Sequence, residues 1–212
     1  CRGLPASERR SFQAAALALA MAGNLVSRRT LALQMTRVVW HAGGDPGPFA
    51  GLDDFPTAHA ALTPGNLPDA LLASAAIPLV LAGVRVPGGP GRIHRDGGAV
   101  DYHIDLDFGA GDGLVLYPHF YPHVIPGWLD KPLRWRRAQP VNFRRALIVA
   151  PSAEFVESLP NRKIPDRDDF HSLGDAERMR AWRAVLAATG RMAEELHELI
   201  VTQRVAEHAR PL

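Results

Sequence analysis

The hydrophobic pattern alternates between short apolar runs and longer stretches with helical spacing. Apolar runs bounded by Gly, Pro and polar residues predict strands, and Ala- and Leu-rich stretches with apolar residues three or four apart predict helices. Strands that alternate with helices favour an α/β fold with parallel strands. The expected strands or extended segments cover 30–42, 79–86, 113–120 and 145–152, and the expected helices cover 7–27, 63–76 and 174–208.

The length and composition fit one globular domain. The chain has 212 residues, 47% of them hydrophobic, which is enough for a core of its own. We expect one domain over 1–212, with a helical lead-in at 1–29, an α/β region at 30–155 and a C-terminal helix at 174–208. The longest apolar run, 70–84, is too short to span a bilayer and contains Pro78, so we expect no transmembrane segment. A cytoplasmic or peripheral membrane location is favoured.

The charge is unevenly distributed although its sum is small. The formal net charge is +2, so nothing global indicates a nucleic-acid-binding protein, and we expect no nucleic-acid partner. Residues 41–115 contain nine Asp and three Arg, which makes the middle third acidic. This acidic third contains the candidate chemistry.

The segment "RDGG" places Asp96 directly before Gly97 and Gly98. A carboxylate at the end of a short strand has a fixed direction. The two glycines permit a tight turn, backbone angles closed to other residues, and close approach of a substrate. Taken alone, Asp-Gly-Gly is typical of an ordinary turn.

The order of motifs around Asp96 resembles the patatin-like phospholipase family. Upstream, "LLASAAIP" ends a predicted helix with Ala73, Ser74 and Pro78, and "DGG" follows about twenty residues later. The family has an "A-S-x-x-x-P" helix end followed by "D-G-G" or "D-G-A" at this spacing. The similarity covers residues 30–155.

The resemblance implies a three-layer α/β/α domain and a lipid acyl hydrolase. In the family, a serine on a "G-x-S-x-G" turn attacks a glycerolipid or phospholipid ester, and the Asp of "D-G-G" accepts the proton of that serine. Backbone N–H groups of a glycine-rich segment stabilise the oxyanion. By this resemblance Asp96 is the catalytic base, with Gly97 and Gly98 as its motif glycines. The chemistry needs no metal and no organic cofactor.

The sequence departs from the family at the nucleophile. It contains no "G-x-S-x-G" and no N-terminal glycine-rich segment, and its first residue is Cys1, the only cysteine, which excludes an intrachain disulfide. We therefore expect an N-terminally truncated patatin-like domain that begins after the nucleophile and is inactive alone. Ser74 is expected to have a packing or capping role.

A metal-dependent hydrolase is one alternative interpretation. Alternation in "DYHIDLD" would place Asp101, His103, Asp105 and Asp107 on one side of a strand, and "YPHFYPH" adds His119 and His123. Carboxylates and imidazoles can hold a divalent ion that activates water. The sequence has no compact motif such as His-Glu-x-x-His, so a structural role is favoured and no metal ligand is assigned.

A basic segment provides a second alternative, a non-catalytic lipid-binding fragment. Its candidate membrane-surface residues are Lys131, Arg134, Trp135, Arg136 and Arg137. Cations beside an interfacial aromatic ring suit an anionic lipid surface. The same composition could bind RNA, and an ordinary solvated loop is the simplest interpretation.

Overall fold

The structure is a computed structural model that describes residues 1, 4–54, 56–109 and 111–211. It combines helices with two small sheets, each made of two parallel strands. The predicted α/β class with parallel strands is confirmed. Residue contacts divide the chain into unit 1, Cys1–Gly113 with Val124–Arg145, and unit 2, Leu114–His123 with Ala146–Leu212. The single patatin-like domain over 1–212 stays a prediction.

Unit 1 contains two α-helices and one parallel sheet. The helices are α1 (Arg10–Val26) and α2 (Leu67–Ser74), and the strands are β1 (Arg37–His41) and β2 (Thr57–Ala61). The strands pair from Arg37 opposite Thr57 to His41 opposite Ala61. A parallel pair requires a crossover connection, and the chain between the two strands contains a 3-10 helix at Gly47–Gly51.

Unit 2 pairs two short strands and ends in a long helix. The strands β3 (Val115–Pro118) and β4 (Ala146–Val149) are parallel. The helices are α3 (Ala153–Ser158), α4 (Asp169–Ser172), α5 (Asp175–Val201) and α6 (Val205–His208). Buried Asp169 ties α4 to α5 because it accepts a hydrogen bond from Trp182 Nε1 at 2.8 Å and pairs with Lys163 at 2.8 Å.

Two small apolar clusters form the core of unit 1. One joins α1 to the chain just before β1 and to later segments, through Ala20, Leu31, Met35, Val100 and Leu129. The other packs Ala70, Ala73 and Val86 against Trp40, Leu62 and Val84. The first cluster includes Val100, four residues after Asp96, so the core reaches the Asp-Gly-Gly turn.

Buried arginines and carboxylates connect the segments of unit 1. Arg37 on β1 donates from Nε and Nη2 to the two carboxylate oxygens of Asp101, both at 2.7 Å, and from Nη1 to Asp54 at 2.8 Å. Arg28 donates to Asp54 at 2.8 Å and to Asp130 at 3.1 Å. We call these five residues the arginine–carboxylate network.

The network is favourable because each buried charge has an opposite charge and good hydrogen bonds. The Arg37 side chain is only 5% exposed, and burial alone would lower its pKa. The hydrogen bonds and charges of Asp101 and Asp54 outweigh burial and raise it. Burial alone would also raise the pKa of Asp54, but Arg37 and Arg28 together lower it. Removing one member would leave partly buried charges with fewer opposite charges and hydrogen bonds.

Several expected elements have different bounds in the structure. The strand expected over 30–42 covers only Arg37–His41, because Arg28–Leu33 form a 3-10 helix. The helix expected over 63–76 begins at Leu67, where the Asn66 side chain accepts from the Thr63 N–H at 2.8 Å and closes the preceding turn.

Two further expectations are corrected. The helix expected over 174–208 is interrupted between α5 and α6, where Gln203 has φ 58°. The extended segment expected over 79–86 contributes only one antiparallel bridge, between Val84 and His94. The sequence did not predict β2. No helix within the described part of the chain combines the length and apolar character needed to cross a bilayer.

The network predicts a large stability effect for Arg37→Met. This change leaves Asp101 and Asp54 without their main partner, and we expect it to lower the free energy of unfolding by about 3 kcal/mol. Chemical denaturation followed by circular dichroism measures the difference. Arg29→Met is the matched control, because Arg29 is exposed and its side chain has no hydrogen bond within the described residues. Equal stability of the two variants would contradict the assignment.

Candidate functional site

The structure brings the two resemblance motifs into direct contact. The backbone N–H of Asp96 donates to the carbonyl oxygen of Ala76 at 3.0 Å. Ala76 belongs to the "ASAAIP" block and is fully buried, so the segment just after α2 holds the start of the Asp-Gly-Gly turn. The two blocks are therefore neighbours in space.

The Asp96 carboxylate is held by its own turn. Oδ1 accepts from the Gly98 N–H at 2.7 Å, and Asp96 caps a 3-10 helix at Gly97–Ala99. Asp96 is partly buried, and its carboxylate makes no other hydrogen bond within the described residues. One oxygen is thus fixed and the other remains available to accept a proton.

Neither motif glycine is needed for an unusual backbone angle, and only Gly98 lies in a crowded position. Neither Gly97 nor Gly98 has a positive φ, so the expectation of backbone angles closed to other residues is wrong. A Cβ on Gly98 would lie 3.0 Å from Asp96 Oδ1, whereas a Cβ on Gly97 would meet no atom within 4 Å. Gly98 is therefore the glycine that the carboxylate requires.

Both sides of the turn are anchored by arginines. The side chain of Arg95, only 3% exposed, donates to the carbonyl oxygens of Pro5 at 3.0 Å and Leu81 at 3.1 Å, and pairs with Glu8 at 2.9 Å. After the turn, Arg28 Nη2 donates to the carbonyl oxygen of Val100. These contacts fix the chain immediately before and after Asp96.

Asp96 lies in the wall of a cavity of about 350 Å³ within unit 1. The volume is in the range of small-molecule sites. Most of the lining is apolar, and polar groups including Asp96, Ser74 and His94 also face it. The apolar lining includes Leu17, Met35, Val38, Trp40, Leu67 and Leu71.

Ser74 is close to this site in the fold but lacks the features of an activated nucleophile. It is the last residue of α2, is exposed, and lines the same cavity as Asp96. It makes no hydrogen bond to a base within the described residues. The structure supports neither a capping role nor a catalytic role for Ser74.

His94 is a buried imidazole next to the motif that sequence reasoning missed. It is 8% exposed, and its Nδ1 lies 3.3 Å from the carbonyl oxygen of Val84. A carbonyl oxygen only accepts, so Nδ1 donates and the neutral ring has no proton on Nε2. Burial lowers the pKa of His94, and the Val84 carbonyl only partly offsets this. Nε2 is buried and has no hydrogen bond within the described residues.

The carboxylates and His103 of the expected metal cluster have other partners. Residues 101–109 form no strand, so the expectation of one shared face is wrong. Asp101 pairs with Arg37, and Asp105 accepts from Gln139 N at 3.0 Å. His103 Nδ1 accepts from the backbone N–H of Ile125 at 2.9 Å.

The remaining expected ligands belong to a series of aromatic contacts in unit 2. The ring of His119 stacks on Phe120 at 4.7 Å, and that of His123 stacks on Tyr121 at 5.2 Å. Among the described residues, no group of three or more His, Cys, Asp or Glu is arranged to hold a metal ion. The described residues therefore give the metal-site alternative no assembled set of ligands.

The basic segment separates into exposed and structural residues. Arg134, Trp135 and Arg137 are exposed, Trp135 to 66%, and make no hydrogen bond or ion pair within the described residues. Lys131 is also exposed and lies 4.3 Å from the ring centroid of Tyr102. Arg136 is different because its Nη2 donates to the Asn24 carbonyl at 2.7 Å. Arg136 is therefore partly used in holding α1, and its membrane-surface role stays a prediction.

Comparisons with known proteins add no assignment. No family model matches the chain, and no curated protein and no solved structure matches it. The resemblance to the patatin-like family rests on the two sequence motifs.

His94 predicts a pH dependence of stability near neutrality. Its pKa is lowered in the folded chain, so the unfolded chain binds more protons as the pH falls below the ordinary value of 6.5. Stability should therefore decrease between about pH 7.5 and about pH 5.5. Thermal melting at both pH values measures this loss, and His94→Phe should reduce it.

His197→Phe is the control, because His197 is exposed on α5. The control should keep the wild-type difference between the two pH values. An unchanged difference in His94→Phe would show that His94 is not the buried neutral imidazole described above.

Proposed function

We propose that Asp96 is the general base of a patatin-like lipid acyl hydrolase, with the three-layer α/β/α arrangement that the resemblance implies. The observation that carries the proposal is the hydrogen bond from Asp96 N to Ala76 O at the wall of a largely apolar cavity. It connects two motifs that were paired from sequence alone, and the apolar cavity beside Asp96 supports an acyl chain as the group that binds there.

The proposed reaction is a two-step ester hydrolysis. Asp96 accepts the proton of a serine hydroxyl as the serine oxygen attacks the ester carbonyl, and it returns that proton to the departing oxygen when the tetrahedral intermediate collapses and releases the alcohol. Water then attacks the acyl-serine, Asp96 takes the proton of that water, and it returns the proton to the serine oxygen as the fatty acid leaves. The serine is proposed to come from outside residues 1–212, since no "G-x-S-x-G" lies within them.

The environment of Asp96 suits a base for this reaction. Its Oδ1 is oriented by the Gly98 N–H, which leaves Oδ2 for the proton. The apolar lining would exclude water around an acyl chain and favour a lipid ester over a polar ester. No metal or organic cofactor takes part in the proposed steps.

A non-catalytic role at a membrane surface is the second candidate. It is favoured by the exposure of Arg134, Trp135 and Arg137, which have no hydrogen bond or ion pair to any part of the chain that the structure describes. Cations attract anionic lipid, and an indole ring is suited to the interface between headgroups and acyl chains. This role is also compatible with a lipase that works at a membrane.

The catalytic proposal is tested with Asp96→Asn in the full-length protein that carries residues 1–212. The amide keeps the shape of the side chain but cannot act as the base, so turnover of a lipid ester should decrease about a hundredfold or more. Thermal melting should change little. The assay uses a monoacylglycerol or phospholipid with detection of released fatty acid.

Asp107→Asn is a matched control for this test. Asp107 Oδ1 accepts from the Gly109 N–H at 3.0 Å, as Asp96 accepts from Gly98, but Asp107 is exposed and does not line the cavity. The control should keep wild-type turnover. Near-normal turnover in Asp96→Asn, or no ester hydrolysis by the wild-type protein, would contradict the proposal.

The membrane-surface role predicts salt-sensitive binding to anionic vesicles. The protein should bind vesicles containing phosphatidylserine at low salt and dissociate as salt rises through about 0.15 M. Arg134→Gln with Arg137→Gln should weaken the binding measured by sedimentation. Arg180→Gln with Arg183→Gln on α5 removes the same charge from another exposed surface and should not. Equal binding to neutral vesicles would argue against electrostatic attachment.

A further inference from the structure

Asp101 is connected to the Asp96 turn by a hydrogen bond between backbone groups. Asp101 N donates to the carbonyl oxygen of Gly97 at 2.9 Å, and Val100 N donates to the same oxygen at 3.0 Å. Gly97 follows Asp96 directly in the chain. A displacement of Asp101 would therefore move the peptide that sets the direction of the Asp96 carboxylate.

Asp101 is fixed from its other side by Arg37. Both guanidinium hydrogen bonds to the carboxylate are 2.7 Å long, which is the two-pronged geometry of a strong charge-assisted pair. Arg37 begins β1 and is buried. The strand thus provides a rigid support for a side chain that would otherwise be a surface carboxylate.

Arg28 adds a second constraint on the same short segment. Its Nη2 donates to the carbonyl oxygen of Val100 and lies 3.4 Å from Asp101 Oδ1. Arg28 and Arg37 thus hold Val100 and Asp101. The backbone N–H groups of these two residues close the turn on the Gly97 carbonyl. Arg37 and Asp101 also line the cavity that contains Asp96.

We propose that Arg37 and Asp101 are positioning residues that hold the Asp96 carboxylate in its productive direction through the Gly97 carbonyl. The role deepens the proposed function and rests on it, since a productive direction has meaning only if Asp96 is the base. Neither residue touches the reacting atoms. Their effect reaches the site through the turn, as supporting residues often tune a reactive group.

The Gly98 amide provides a direct measurement of the Asp96 position. This N–H donates to Asp96 Oδ1 at 2.7 Å, so its proton chemical shift should change when the carboxylate is protonated. The Gly109 amide donates to Asp107 in the same way at 3.0 Å and is an internal control. Both can be followed by NMR of the 212-residue chain in one pH titration.

Two variants test the connection in different ways. Asp101→Asn removes the charge that Arg37 binds, whereas Arg37→Lys keeps the charge and loses the two-pronged geometry. We expect each to reduce the pH-dependent shift of Gly98 by about half or more and to leave that of Gly109 unchanged. Arg37→Lys keeps the test valid if Asp101→Asn fails to fold.

Each outcome decides the question. An unchanged Gly98 shift in a folded variant overturns the positioning role. Equal changes at Gly98 and Gly109 also overturn it, because they show general loosening of the chain. The NMR titration does not depend on catalysis. It can therefore contradict the positioning role whether or not the proposed function is right.

Turnover in the full-length protein provides the second measurement. If Asp96→Asn abolishes ester hydrolysis, Asp101→Asn should lower kcat about tenfold and leave KM nearly unchanged, because a misdirected base affects the reaction more than binding. An unchanged kcat would contradict the positioning role.

Discussion

The arginine–carboxylate network is the interaction on which the described structure of unit 1 depends. Arg37 and Arg28 would be costly to bury alone, and each is neutralised by carboxylates from distant parts of the chain. Because Asp54, Asp101 and Asp130 come from three separate segments, satisfying the two arginines brings those segments together. The small apolar clusters pack around the segments that these charge pairs hold together.

The candidate site follows from this constraint. The network ends at Asp101 and Val100, whose amides close the turn on the Gly97 carbonyl. Arg95 and Ala76 hold the residues at the start of the same turn. The Asp96 carboxylate is thus directed from both sides, although its own turn is only a few residues long. Such support for a single carboxylate is more than a simple surface turn needs, and it agrees with the proposed role of Asp96 as a base.

Sequence reasoning succeeded where the signal was local. The apolar pattern of "VLYP" and "ALIV" predicted β3 and β4, and helical spacing predicted α1 and most of α5. It missed β2, because "TAHAA" has no apolar alternation and becomes a strand by pairing with β1. The family resemblance paired the two motifs by order and spacing, but the contact between Asp96 and Ala76 was not predicted, because periodicity does not show which backbone groups meet.

The sequence did not predict which groups the charged residues pair with, because these pairs depend on tertiary packing. Asp101 was considered a metal ligand and Arg136 a membrane contact, but each has a partner far away in sequence, at Arg37 and Asn24. An arginine at the start of an apolar strand was the one signal available, since such a residue needs a carboxylate when it is buried. Residues 41–115 contain nine aspartates, so the sequence could not show which of them pairs with Arg37.

The most direct test of the central claim is labelling of the full-length protein with a fluorophosphonate, followed by identification of the modified peptide by mass spectrometry. The account predicts that one serine outside residues 1–212 is labelled, and that Asp96→Asn slows this labelling about a hundredfold, because the serine loses its base. Labelling at the same rate in Asp96→Asn, or labelling of no serine in the wild-type protein, would contradict the account.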